Sequence, residues 1–319
     1  MPSNKSSEDP VHFSLKRKKS WDDNGVAATV GTILALMVFM TFLGMFTNQY
    51  VPIWMKDNET NHMNMVVGQL SNLKSGIDMQ ILNNNEQVAS APIFAPIQLH
   101  AEGVPVFASP TMGTLSFTSD GGVGGPSIQI NYSYIVSGTY YKLNSTNGGL
   151  TGGSLEFYGP NRYYIQQNVT MENGAIMLKQ VDGEAMLSGI AIRLVDNSGQ
   201  WSVKITLTSL TGVSKTIGGF GTKSITSTLE YTYYQKLTNT TGNETKLKIV
   251  TKYPDAWRSY FSDLLNKSGV PYDVNNVVKS DNAPVGNPGY RTVTVRIPNV
   301  YSLEYTKAVA TISIADIGV

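Results

Sequence analysis

The chain has 319 residues, 41% of them hydrophobic, with 24 basic against 23 acidic side chains and no cysteine. That length and composition describe a globular protein with room for one large domain or two small ones. The nearly cancelling charge gives no field that would attract nucleic acid, and the missing cysteines exclude disulfides, thiolate metal sites and cysteine nucleophiles together.

The first feature along the chain is the basic cluster Lys16, Arg17, Lys18 and Lys19. After it, VAATVGTILALMVFMTFLGMF (Val26 to Phe46) carries no charge over 21 residues, about 32 Å as a helix against a hydrocarbon core of about 30 Å. A secretory signal has a shorter apolar region followed by a small-residue cleavage site. The run is therefore read as a transmembrane helix over residues 26–47, with membrane lipid as its partner. Basic residues lie on one flank and Asn48, Gln49, Tyr50 and Trp54 on the other. The positive-inside rule then predicts a single-pass protein of the cell membrane, with residues 1–25 cytoplasmic and the C-terminal part extracellular. Gly31, Thr32, Ala35 and Gly44 are small residues that would let copies of this helix approach one another closely.

Beyond Trp54, the residues Met63, Val66, Val67, Leu70, Leu73, Ile77 and Ile81 recur at spacings of three and four, the stripe of an amphipathic helix over 48–85. The two segments predict one nearly continuous helix from Val26 to about Leu82. Its second half is a stalk that must lay its stripe on its own outer domain or on a neighbouring copy. Pro92, Pro96, Pro105 and Pro110 make 86–110 a Pro-rich linker or extended segment.

Residues 111–319 then read as β. Period-two runs occur at Ser127–Val136, Ala175–Val181, Ala191–Val195, Trp201–Leu210, Ser224–Leu237, Lys246–Tyr253, Arg291–Ile297 and Lys307–Ile317. One helix interrupts them: PDAWRSYFSDLLNKSG opens on Pro254, places Trp257, Tyr260, Phe261, Leu264 and Leu265 on one face and closes on Gly269. The predicted fold class is α+β: a long N-terminal helix followed by a mostly antiparallel β sandwich with one inserted helix.

The chemistry is sparse. His12, His62 and His100 all precede the β domain, so a histidine metal site or Ser-His-Asp triad inside it is excluded. The stretches DGGVGG (Asp120 to Gly125) and GGFGTKS (Gly218 to Ser224) lack phosphate-loop spacing and read as turns. Asp182, Glu184 and Asp196 fall near strand ends, where they are solvated turn residues, or else the carboxylates of an extracellular hydrolase or calcium site. No catalytic constellation and no cofactor are expected. Seven Asn-x-Ser/Thr triplets follow the membrane segment, at Asn58, Asn131, Asn144, Asn168, Asn239, Asn243 and Asn266, and fit a glycoprotein surface.

The residues GVAATVGTIL, Gly25 to Leu34, resemble the start of archaeal type IV pilin-like proteins. The resemblance implies cleavage after Gly25, a mature chain beginning at Val26 and a helix that anchors or bundles. This chain departs from the pattern with Asp22, Asp23 and Asn24 before the glycine and Val30 where many pilins carry glutamate. SLEFYGPNRYYIQQNVTMENGAIMLKQ (Ser154 to Gln180) and YPDAWRSYF (Tyr253 to Phe261) are similar to segments of uncharacterised archaeal membrane-anchored surface proteins. The expected role is structural or adhesive at an archaeal cell surface, with copies of itself or an envelope component as partner. The alternative is a bitopic surface protein that does not polymerise and binds a glycan, a peptide or an envelope partner.

Overall fold

The computed structural model describes residues 23–84, 90–121, 125–136, 138–270, 274–280, 282–284 and 288–316. Lys16 to Lys19 and His12 lie outside them, as do parts of the Pro-rich stretch and of DGGVGG. The chain divides into two compact units, residues 1–50 and 51–319.

The described part of the first unit is helix α1 (Asp23–Met45) and a π-helical turn, Phe46–Tyr50. By length and composition α1 suits a membrane crossing, and Leu36, Met37, Val38, Phe39 and Met40 are all more than half exposed around its circumference. Where the helix register widens, side chains take up backbone carbonyls: Thr47 Oγ1 donates to Leu43 O at 2.9 Å and Asn48 Nδ2 to Gly44 O at 2.8 Å.

The second unit opens with α2 (Val51–Leu82). The strands that follow are β1 (Ile93–Gln98), β2 (His100–Ala101), β3 (Thr111–Met112), β4 (Thr114–Thr118), β5 (Ser127–Val136), β6 (Thr139–Leu143), β7 (Leu150–Gly152), β8 (Ser154–Gly159) and β9 (Gln167–Glu172). Then come β10 (Ala175–Gln180), β11 (Gly183–Ser188), β12 (Ala191–Asn197), β13 (Gln200–Gly212), β14 (Lys215–Gly218) and β15 (Thr222–Thr251), with helix α3 (Pro254–Ser268) before β16 (Val277–Ser280) and β17 (Arg291–Asp316). A larger sheet has the order β12-β13-β17-β15-β5-β6, with β1, β7 and β16 attached, and a smaller one has the order β11-β10-β9-β8-β4-β14. The described pairings are antiparallel except β13 with β17. The expected α+β class is therefore the observed one.

The stripe on α2 is buried by its own domain. Met63, Val66, Leu70, Leu73 and Ile77 share a core with Leu115, Phe117, Leu155 and Phe157 from the smaller sheet and Ile225, Ala310 and Ile312 from the larger one. Strand β1, within the stretch read as a linker, pairs with β15 from Ile93↔Ser227 to Gln98↔Thr222. Pro96 is tolerated there because β1 has β15 on one side only. Stalk, linker and strands thus form one compact unit.

Two cores lie on opposite faces of the same long strands. In β13, Val203, Ile205 and Leu207 enter one core and Leu210 the other; in β17, Leu303 and Tyr305 enter the first and Ala310, Ile312 and Ile314 the second. Because side chains alternate between faces, this change from odd to even positions means that the sheet is covered on one face at one end and on the other face at the other. The first core also takes the buried face of α3, Trp257, Phe261 and Leu265. That helix ends as its sequence predicts: Gly269 is left-handed at φ 80°, and the amide of Val270 reaches Leu265 O at 3.1 Å.

Candidate functional site

The Gly25–Val26 bond lies inside α1. Gly31, Thr32, Ala35 and Gly44 lie along the same exposed helix, and a Cβ placed on either glycine would meet no atom within 4 Å. Their small size is not demanded by packing within the described chain.

The sequons fall into distinct environments. The amide nitrogen, to which a glycan would be joined, is hydrogen-bonded in Asn58 (to Glu102 O, 3.0 Å), Asn168 (to Glu156 Oε1, 3.0 Å) and Asn243 (to Ser133 O, 3.2 Å). Thr170 of the Asn168 triplet is buried. Asn131 lies within β5, and Asn239 is in β15 with its side chain outside the described set. Asn266 is exposed on α3. Asn144 sits in a turn, where its Oδ1 accepts from the amide of Thr146 at 3.0 Å and from Thr146 Oγ1 at 2.7 Å.

Of the three acidic residues singled out in the sequence, Asp182 and Glu184 share a hairpin and Asp196 lies on another. Asp196 lies on the β12–β13 hairpin, where its Oδ1 accepts from the amide of Gly199 at 2.8 Å. Asp182 and Glu184 belong to the β10–β11 hairpin. Glu184 Oε1 lies 2.7 Å from Lys179 Nζ, and its Oε2 accepts from the amide of Asp255 at 3.0 Å. The latter contact supplies a partner to a first-turn amide of α3 that the helix itself cannot satisfy.

Two buried carboxylates that sequence reasoning missed organise the second unit. Glu59, on α2, accepts from Thr111 Oγ1 (2.6 Å) and from three successive amides, Arg162 (3.0 Å), Tyr163 (2.8 Å) and Tyr164 (2.7 Å). Its position four residues from both Met55 and Met63, within the buried stripe, is the signal that could have found it. Glu172, on β9, accepts through Oε1 from Thr251 Oγ1 at 2.6 Å and from Trp257 Nε1 at 2.7 Å. Beside it Thr170 Oγ1 and the Tyr253 hydroxyl are 2.5 Å apart, and Lys252 Nζ reaches Glu156 Oε2 at 3.0 Å. Burial pushes the Glu172 carboxyl up to about 7, against the two donors that favour its charged form. No local pattern in the sequence marks Glu172.

A cleft of about 400 Å³ opens at the surface between β11 and α3, lined by Glu184, Ala185, Met186, Tyr260, Asp263, Leu264 and Lys267 among others. It shares Glu184 and Ala185 with a neighbouring hollow of about 230 Å³ that also touches Asp182. Of its lining residues, Tyr260 donates its hydroxyl to Ile190 O at 3.1 Å. A Cβ on Gly189 would fall 2.3 Å from the Tyr260 ring. Among the described residues no cluster of three or more His, Cys, Asp or Glu side chains could hold a metal ion.

Comparison with family models, curated proteins and solved structures finds no match for this chain.

Proposed function

We propose that this is a membrane-anchored surface protein whose role is structural or adhesive. α1 holds it in the bilayer or bundles with copies of itself, and the β unit is displayed on the outer side. The observation that supports this most is the exposure of apolar side chains all around α1, from Val26 through Phe42. Its 23 residues span about 35 Å, the reach needed for a hydrocarbon core, and a helix apolar on every side has no favourable place in water. The cationic Lys16 to Lys19 cluster supports a cytoplasmic N-terminus. In the pilin-like form of the reading, an archaeal leader is removed after Gly25 and Gly31, Thr32, Ala35 and Gly44 serve helix association. Asn144 and Asn266 are then the best-presented glycan acceptors.

Asp22, Asp23 and Val30, which depart from the pilin-like pattern, favour a second form: a bitopic protein that keeps its leader and binds its partner without polymerising. Mass spectrometry of the N-terminal peptide of protein extracted from its own membranes separates the two. A terminus at Val26 supports the first form and an intact leader the second. Recovery in the soluble fraction, without detergent, sinks both.

A further inference from the structure

We propose that the cleft between β11 and α3 receives an extended, lysine- or arginine-bearing segment of another polypeptide, which pairs with β11 as an added strand. This stands whether or not α1 spans a membrane.

Gln180↔Gly183 flanks the two-residue turn at Val181 and Asp182, so it is a hydrogen-bonded pair, and pairs alternate from there. Lys179↔Glu184 and Met177↔Met186 are then the non-bonded pairs. The backbone N–H and C=O of Glu184 and Met186 therefore point away from β10, toward the open side of the strand. β11 ends its sheet, and Glu184 and Met186 both line the cleft. Among the described residues no backbone hydrogen bond from outside the sheet reaches either of them.

β11 differs from the other long outer strands. Exposed edges are normally protected against pairing by proline or by a charged residue, lysine above all. Among the outer strands of four residues or more, β1, β6, β12, β14 and β16 carry Pro96, Lys142, Arg193, Lys215 and Lys279 respectively. β11, Gly-Glu-Ala-Met-Leu-Ser, has neither proline nor a basic residue. Its only charge is Glu184, and that is engaged by Lys179 and Asp255.

With α3 as the opposite wall of the cleft, a single strand fits more readily than the edge of a second sheet. The cleft is lined by the carboxylates Glu184 and Asp263 and one ammonium, Lys267, and the adjoining hollow adds Asp182. Lys179 neutralises Glu184, so Asp182 and Asp263 against Lys267 leave one net negative charge to recognise a cation on the incoming segment. Strand pairing supplies main-chain hydrogen bonds, and the carboxylates select the sequence.

The test uses the full chain in detergent micelles and a short fluorescent peptide alternating lysine with valine. The same peptide N-methylated at alternate amides cannot pair and serves as the control. Binding is followed by anisotropy and by amide exchange at Glu184 and Met186. The expected result is slowed exchange at both amides and a loss of about tenfold or more in affinity on N-methylation. Met186→Pro, which removes an outward N–H, should weaken binding similarly. If that variant melts abnormally, Ala185→Lys, at an exposed position, gives the same reading. Equal binding of the two peptides, unchanged exchange, or no binding to the parent would overturn the proposal. So would a dimer of the peptide-free protein that Ala185→Lys dissolves, which would make the occupant a second copy.

Discussion

Trp257 Nε1 and Glu172 Oε1, 2.7 Å apart and both buried, tie α3 to the smaller sheet. The same oxygen accepts from Thr251 at the end of β15, so one carboxylate joins β9, β15 and α3 where the first core closes. A buried acceptor shared in this way makes the docking of α3 specific as well as apolar.

That carboxylate should make stability depend on pH. Glu172 is raised to about 7 from an ordinary 4.5, chiefly by burial. The folded state therefore holds its proton more tightly than the unfolded chain. This group's contribution is full below about pH 4.5 and is lost as pH rises through about 7, up to about 3 kcal/mol in all. Glu172→Gln keeps an acceptor for Trp257 and Thr251 but cannot titrate. Denaturant unfolding at pH 5 and pH 8 should show a decline in the parent that the variant lacks; an equal decline in both would refute the assignment.

Trp257→Ala removes a fully buried aromatic and should cost about 3 to 5 kcal/mol. Trp257→Phe keeps most of the volume while withdrawing the donor, and it should cost about 1 to 3 kcal/mol by weakening Glu172's environment. Both are readable as shifts in the midpoint of a cooperative unfolding curve. A phenylalanine variant as damaged as the alanine one would mean that the lost hydrogen bond, rather than the lost packing volume, dominates the cost.

Glu59→Ala strips acceptors from the amides of Arg162, Tyr163 and Tyr164 and from Thr111 Oγ1. Even if solvent reaches some of them, the loss should be about 3 kcal/mol or more. Faster amide exchange should be confined first to residues 162–164. Unchanged exchange there would show that the carboxylate does not hold this loop.

A fragment beginning at residue 51 should fold cooperatively, whereas one beginning near residue 100 should not. The shorter piece lacks Met63, Val66, Leu70, Leu73, Ile77, Ala95, Ile97 and Leu99 from the second core. Leu70→Asp with Leu73→Asp should act in the same direction by placing unpaired charges in that core. Circular dichroism melting of the two fragments decides it, and a sharp transition in the shorter one would overturn the assignment of α2 to the domain.

Elements whose signal is local are legible in the sequence. α1 follows from an uncharged run of membrane length. α3 follows from Pro254, Gly269 and an aromatic face at helical spacing, and Trp257 and Phe261 are core residues as expected. β5 has the bounds its sequence predicts because SIQINYSYIV alternates cleanly. For the acidic candidates, nearness to strand ends is a weak cue. Glu59 and Glu172, which do organise the unit, take their roles from partners up to 105 positions away.

By itself the sequence determined the apolar helix, the β-rich remainder and the inserted amphipathic helix, since each depends on residues close together in the chain. Tertiary structure alone decided that Ser224–Leu237 and Lys246–Tyr253 are one strand, β15, and that β17 likewise joins two predicted runs. It also decided that β8 and β9 pair into a second sheet. Leu155, Phe157, Val169 and Met171 face α2 and alternate with Glu156, Asn168, Thr170 and Glu172, but only the fold shows that this polar face is enclosed too, against Lys252, Tyr253, Thr251 and Trp257. The switch of buried face within β13 and β17 has the same cause. Alternation fixes which residues share a face, and only the layers packed on the sheet decide which face is dry.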